Sequence, residues 1–158
     1  MNRRIFYDDV QWNKFIDFSR NLETPCLIVD LNIVKNNYNE LKNHFPYAKI
    51  YFAVKSNPAE KVITLLRDLG SNFDIASTYE LDKVLSLGVE PERLSFGNTI
   101  KKAKDIKYFY DKGVRIFATD SKADLQNIAK NAPGSKVFVR ILVEGSQSAD
   151  WPLSKKFG

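Results

Sequence analysis

Apolar and polar positions along this chain follow two rhythms that take turns. From about residue 30, stretches with apolar residues at steps of three and four give way to short continuous apolar runs, and the cycle repeats. Asp30 stands where a helix cap belongs, ahead of Leu31, Val34, Tyr38, Leu41 and Phe45 on one helical face. The run KIYFAV predicts a strand. AEKVITLLRDLG then predicts a helix with Val62, Leu65, Leu66 and Leu69 on its apolar face and Gly70 placed to end it. NFDIA reads as a strand. STYE fits a capping box, with Ser77 as cap and Glu80 three residues on, opening a helix that stops at Gly88. RLSFGN is the next strand, after which Thr99 is expected to cap a helix running to Gly113. VRIFATD follows as a strand, Ser121 caps a helix ending near Pro133 and Gly134, and KVFVRILV is the fifth strand.

Strand centres fall near residues 52, 73, 95, 116 and 139. Strands alternating with helices at a steady pitch of about 22 residues predict βαβ units and a parallel sheet. A doubly wound sheet that binds a dinucleotide needs a Gly-rich turn after its first strand. Here KSNP stands in that place, and neither GxGxxG nor GxxxxGK[ST] occurs in the chain. A (β/α)8 barrel instead gathers polar residues at the C-terminal ends of successive strands. Lys55, Asp74, Asn98, Asp120 and, inside the last strand, Arg140 occupy those positions. The fold class expected is α/β, an incomplete TIM-like (β/α)8 barrel of about five βα units. Residues 1–29 do not share the repeat. Their aromatics Phe6, Tyr7, Trp12, Phe15 and Phe18 read as an N-terminal docking arm or an extra strand, while residues 144–158 read as a long loop after strand five.

Composition narrows the class without choosing a function. A hydrophobic fraction of 44% against 27% charged residues is that of a globular domain rather than a disordered chain. No stretch reaches the roughly 18 consecutive apolar residues of a membrane span, and no signal-peptide run follows the first arginines. Cys26 is the sole cysteine, so no internal disulfide can form and a cytoplasmic location is expected. The net charge of +5 could suggest a polyanionic partner. The lysines, however, alternate with acids on helix-like segments such as KKAKDIKYFYDKG, which reads as solvated helix faces rather than a nucleic-acid surface.

The candidate chemistry sits at the strand ends. Lys55 follows the apolar run Tyr51–Val54, and desolvation between apolar walls would lower its pKa until a neutral amine can condense with an aldehyde. Asp74 lies among Phe73, Ile75 and Ala76; it reads equally as a turn residue or as a functional carboxylate. Arg140, inside VFVRILV, must find an anion, with Asp74, Glu80 or a cofactor oxygen as candidates. A lysine, a carboxylate and an arginine converging on a barrel mouth suit a pyridoxal 5′-phosphate (PLP) site. His44 reads as exposed, and one histidine with one cysteine makes no ordinary zinc site. Trp151 reads as a loop anchor or an interface aromatic.

FAVKSNP, the Phe73–Glu80 segment FDIAS…E, LSFGNTIK, FATDS, VRILV and LSKKFG stand here in one order. In that order they resemble fold-type III PLP-dependent decarboxylases, the alanine racemase-like barrel enzymes acting on ornithine, lysine, arginine or diaminopimelate. The likeness is greatest to the ornithine/lysine branch. It implies that Lys55 carries the cofactor, that Asp74, Glu80 and Arg140 pack around it, and that Lys156 pairs with an acid of a second subunit in a homodimer. It further implies a mobile loop at SADWPL, with residues 1–29 belonging to a β-rich second domain and residues 30–158 forming a partial PLP-binding barrel. The family's ring-stacking histidine, Gly-rich phosphate loop and cross-dimer cysteine have no counterpart in this sequence. The resemblance therefore implies an N-terminal piece, inactive alone, of a decarboxylase converting ornithine or lysine to putrescine or cadaverine in polyamine biosynthesis. Two alternatives stand beside that reading: a non-catalytic, partner-binding homologue fragment, and a diaminopimelate decarboxylase or racemase on the same barrel.

Overall fold

A computed structural model describes residues 7–141 of the chain. Five strands form one sheet: β1 (Tyr51–Ala53), β2 (Asn72–Ile75), β3 (Leu94–Phe96), β4 (Ile116–Thr119) and β5 (Lys136–Val139). All pair in parallel, in the order β1-β2-β3-β4-β5. That order decides the architecture. A doubly wound sheet reverses its strand order at a switch point, whereas a barrel adds each strand beside the one before. Helices α3 (Glu60–Asp68), α4 (Thr78–Ser86), α5 (Ala103–Asp111) and α6 (Lys122–Asn131) make the crossovers, and α2 (Leu31–His44) precedes β1.

The helices begin and end for identifiable chemical reasons. Asp30 accepts a hydrogen bond from the Asn32 N–H at 2.8 Å and opens α2. Ser77 accepts from the Glu80 N–H at 3.2 Å, and Ser121 from the Asp124 N–H at 3.3 Å, opening α4 and α6. Gly70 and Gly88 close α3 and α4 at φ of +87° and +79°, a conformation that a side chain would strain. The cap expected at Thr99 is not formed. Helix α5 starts at Ala103, with Lys102 at the cap position and no side-chain cap bond, because the chain after β3 spends residues 97–102 in a loop that Lys101 ties inward.

The core lies between the sheet and the helices. Phe73, Ile75, Leu94, Phe96 and Phe117 face Ile63, Leu66, Leu81, Val84, Ile106, Phe109 and Ile128, all buried. Phe96 stacks on Phe109 with ring centroids 3.8 Å apart. On α3 the buried face is Val62, Ile63 and Leu66, with Leu65 only half-buried. Only the first half of the predicted α2 face is covered: Tyr38 is buried, while Leu41 and Phe45 are exposed. Strand β5 is shorter than KVFVRILV suggested. It ends at Val139, so Arg140 follows the strand instead of lying inside it, although its N–H still donates to the Thr119 carbonyl at 2.8 Å.

The described residues of the amino-terminal segment, 7–29, contain no strand, against the expectation of an extra one. They include a helix, α1 (Asp9–Ser19), capped by Asp8 and burying no residue, with Tyr7 edge-on to Phe15. Among the described residues, no helix is long and apolar enough to cross a membrane.

Candidate active site

Alternate residues on the strands point away from the helices and line a trough of about 500 Å³ on the other face of the sheet. Its walls are Tyr51 and Ala53 from β1, Asp74 from β2, Ser95 from β3, Gly97 just beyond it, Ile116 from β4, and Phe138 and Arg140 at β5. Ala53, Asp74 and Ser95 are direct neighbours in the ladder. This face would be the inside of a closed ring, and its polar residues gather toward the C-terminal strand ends.

Asp74 is the centre of the trough. The Ser95 hydroxyl donates to its Oδ1 at 2.7 Å. Burial raises the Asp74 carboxyl above the ordinary carboxylate range, against the opposing pull of the Ser95 hydrogen bond and of the Lys55 and Arg140 charges. Lys55 and Arg140 therefore both lie close enough to act on this one carboxylate. Gly97 makes room for it: a Cβ there would collide with the Asp74 carboxylate.

Lys55 does not stand at the strand end proper, nor between apolar walls. β1 stops at Ala53, and Val54–Ser56 form a single 3-10 turn in which Val54 is buried and Lys55 exposed. The SNP sequence builds that turn. Ser56 Oγ donates to the Ala53 carbonyl at 2.7 Å, and Asn57 Oδ1 accepts from the Ala59 N–H at 3.1 Å. The enclosure expected around Lys55 is absent among the described residues because five strands wall only one side of the ring.

Glu80 stands apart from the trough. Its Oε2 accepts from the Ala76 N–H at 2.7 Å, closing the loop between β2 and α4 one residue upstream of a standard capping box. Asn98 donates from its side-chain amide to the Ala76 carbonyl at 3.0 Å, and Asp120 is exposed. His44 is exposed, as expected. Lys156, Trp151 and the SADWPL loop lie outside the described residues.

Ser95, Gly97 and Lys101 escape the sequence reading. Ser95 had a usable signal, since it is the polar residue between Leu94 and Phe96 and must face opposite to both. Lys101 had none, being one of three lysines within residues 101–104.

Residues 31–158 match the family described as pyridoxal-dependent decarboxylase, pyridoxal binding domain. The chain belongs to this family. Among curated decarboxylases, it is 35% identical over 140 residues to the lysine/ornithine decarboxylase of Selenomonas ruminantium, covering 89% of this chain and 35% of that one. It is 39% identical over 136 residues to the ornithine decarboxylase of Saccharomyces cerevisiae, covering 86% and 29%. The fold matches an SrLDC mutant crystallised in complex with PLP, with a TM-score of 0.82 at 33% identity, covering 96% of this chain and 38% of that one. The chain thus spans about a third of the length of these decarboxylases, and its sheet is an incomplete barrel of their kind.

Proposed function

We propose that this chain supplies the N-terminal part of the PLP site of a decarboxylase acting on a basic amino acid, ornithine or lysine, with putrescine or cadaverine as product. The reading rests on one observation above the rest: the Asp74 carboxylate, which lines the trough with Arg140, feels the charges of both Arg140, just past β5, and Lys55, in the turn after β1. The trough's volume of about 500 Å³ lies within the ordinary range for small-molecule sites. A primary amine and a cation beside a partly buried carboxylate also suit an aldehyde cofactor that carries a phosphate.

When bound, PLP supplies an electron sink for the carbanion left by loss of CO2. The chain's own residues bind and orient. Lys55 offers the nitrogen to which the cofactor is joined, and it must shed a proton before that nitrogen can bond to carbon. Asp74, the carboxylate on which the Lys55 charge acts, holds its orientation through Ser95 and favours positive charge nearby. Arg140 places a fixed cation at the far side of the trough for an anionic group of cofactor or substrate. Glu80 acts at one remove, holding the loop that follows Asp74. Residues 1–29 are assigned to a second domain, residues 30–158 to the PLP-binding barrel, and Lys156 to a homodimer contact in a cytoplasmic enzyme of polyamine synthesis.

Borohydride treatment of the complete gene product with PLP tests this directly. Peptide mass spectrometry is expected to find the reduced cofactor on Lys55, and Lys55→Ala to abolish the label. Labelling elsewhere, or none, would falsify the reading.

A further inference from the structure

Behind the trough lies a second charged group that the proposed chemistry does not use. The Lys101 side chain is fully buried, and the three N–H donors of its ammonium find three acceptors. It donates to Asp124 Oδ2 at 2.6 Å, to the Ala118 carbonyl at 2.7 Å and to the Asn98 carbonyl at 2.8 Å. Those partners belong to three different places: the first turn of α6, strand β4, and the loop after β3. Asp124 is itself buried and sits in the first turn of α6, where the helix dipole favours a carboxylate.

The network continues toward the carboxylate of the trough. Asn98 passes from Lys101 to the Ala76 carbonyl, and the Ala76 N–H is held by Glu80. The Gly97 N–H donates to the Ile75 carbonyl at 3.1 Å, one residue beyond Asp74. A continuous polar chain, Asp124–Lys101–Asn98–Ala76–Glu80, therefore strings together the ends of β2, β3 and β4 on the outside of the ring. Gly97 and Asp74 sit on its inside.

We propose that Lys101, held by Asp124, is a positioning residue of the cofactor site: it fixes the loop after β3 so that Gly97 leaves space for the Asp74 carboxylate. This rests on the PLP reading above. A buried ion pair is weak support for stability as such, since a well-packed apolar pair of similar volume often replaces one without loss. What an apolar pair cannot reproduce is the direction of the three hydrogen bonds, and that difference separates positioning from mere stability.

The test uses the complete gene product. In the double variant Lys101→Met/Asp124→Leu, the melting temperature is expected to stay near that of the parent. Its apparent Kd for PLP, read by absorbance titration, is expected to rise about tenfold, the scale on which outer supports of a bound group act. Hydrogen exchange at the Gly97 and Ala76 amides is expected to quicken. A folded double variant with the parent's PLP affinity and unchanged exchange overturns the proposal. Should the double variant not fold, Asp124→Asn, which keeps the size of the side chain, is judged on the same two readouts. If the parent protein itself binds no PLP, the proposed function falls, and the exchange rates alone then decide whether Lys101 positions the loop.

Discussion

Asp74 is held in a state that costs the fold something. Burial outweighs the two nearby cations and the Ser95 bond, so its folded-state pKa lies above the unfolded value. A group shifted in that direction favours folding fully below its unfolded pKa and loses that contribution as pH rises through the folded pKa. Asp74→Asn keeps an acceptor for Ser95 and removes the charge. The variant is expected to melt higher than the parent at pH 7, with the advantage shrinking as pH falls into the carboxylate range, while PLP binding weakens. Melting curves at several pH values check this, and a variant that melts lower at pH 7 refutes it. Asp74 itself was visible in the sequence as a carboxylate in an apolar strand, but its partner Ser95 and the gap left by Gly97 were not. Strand pairing across 21 residues brings Ser95 beside it, and that neighbourhood is set by register, not by local pattern.

Among the elements, what the sequence made legible was the local chemistry. Asp30, Ser77 and Ser121 cap where their type and spacing say they should, because an N-cap needs only a side-chain oxygen within three residues of an open N–H. Thr99 has the same chemistry and fails, because a tertiary tie from Lys101 holds the loop and the helix starts later. The two cases make a matched prediction. Ser121→Ala is expected to destabilise the protein by roughly 0.5–2 kcal/mol, as cap removal does. Thr99→Ala is expected to fall within about 0.5 kcal/mol of the parent, like other substitutions away from such features. Denaturant unfolding of both variants checks the pair. Core packing was legible on the same terms. Phe117, fully buried against Phe96, should cost about 3–5 kcal/mol on truncation to alanine.

For the molecule as a whole, the regular pitch of strands was enough to choose a barrel. The incompleteness of the ring is equally visible, since the sequence carries five such units where a closed barrel has eight. Less legible was what an open ring does to its own site. Lys55 was expected between walls and is exposed, and β5 and the residues just after it leave Phe138 at 42%, Val139 at 64% and Ile141 at 71% exposed. Edges and apolar faces of this kind promote association. The isolated 158-residue polypeptide is expected to self-associate or precipitate. A monodisperse monomer in light scattering, unfolding cooperatively, would contradict that.

The strand order carries a consequence for synthesis. Each ladder joins residues only 20 or 21 positions apart, and no strand among those described waits for a distant partner. Contacts of such short reach form quickly, and domains emerge from the ribosome amino-terminus first. The arc that carries Lys55 and Asp74 can therefore assemble strand by strand while later residues are still being translated.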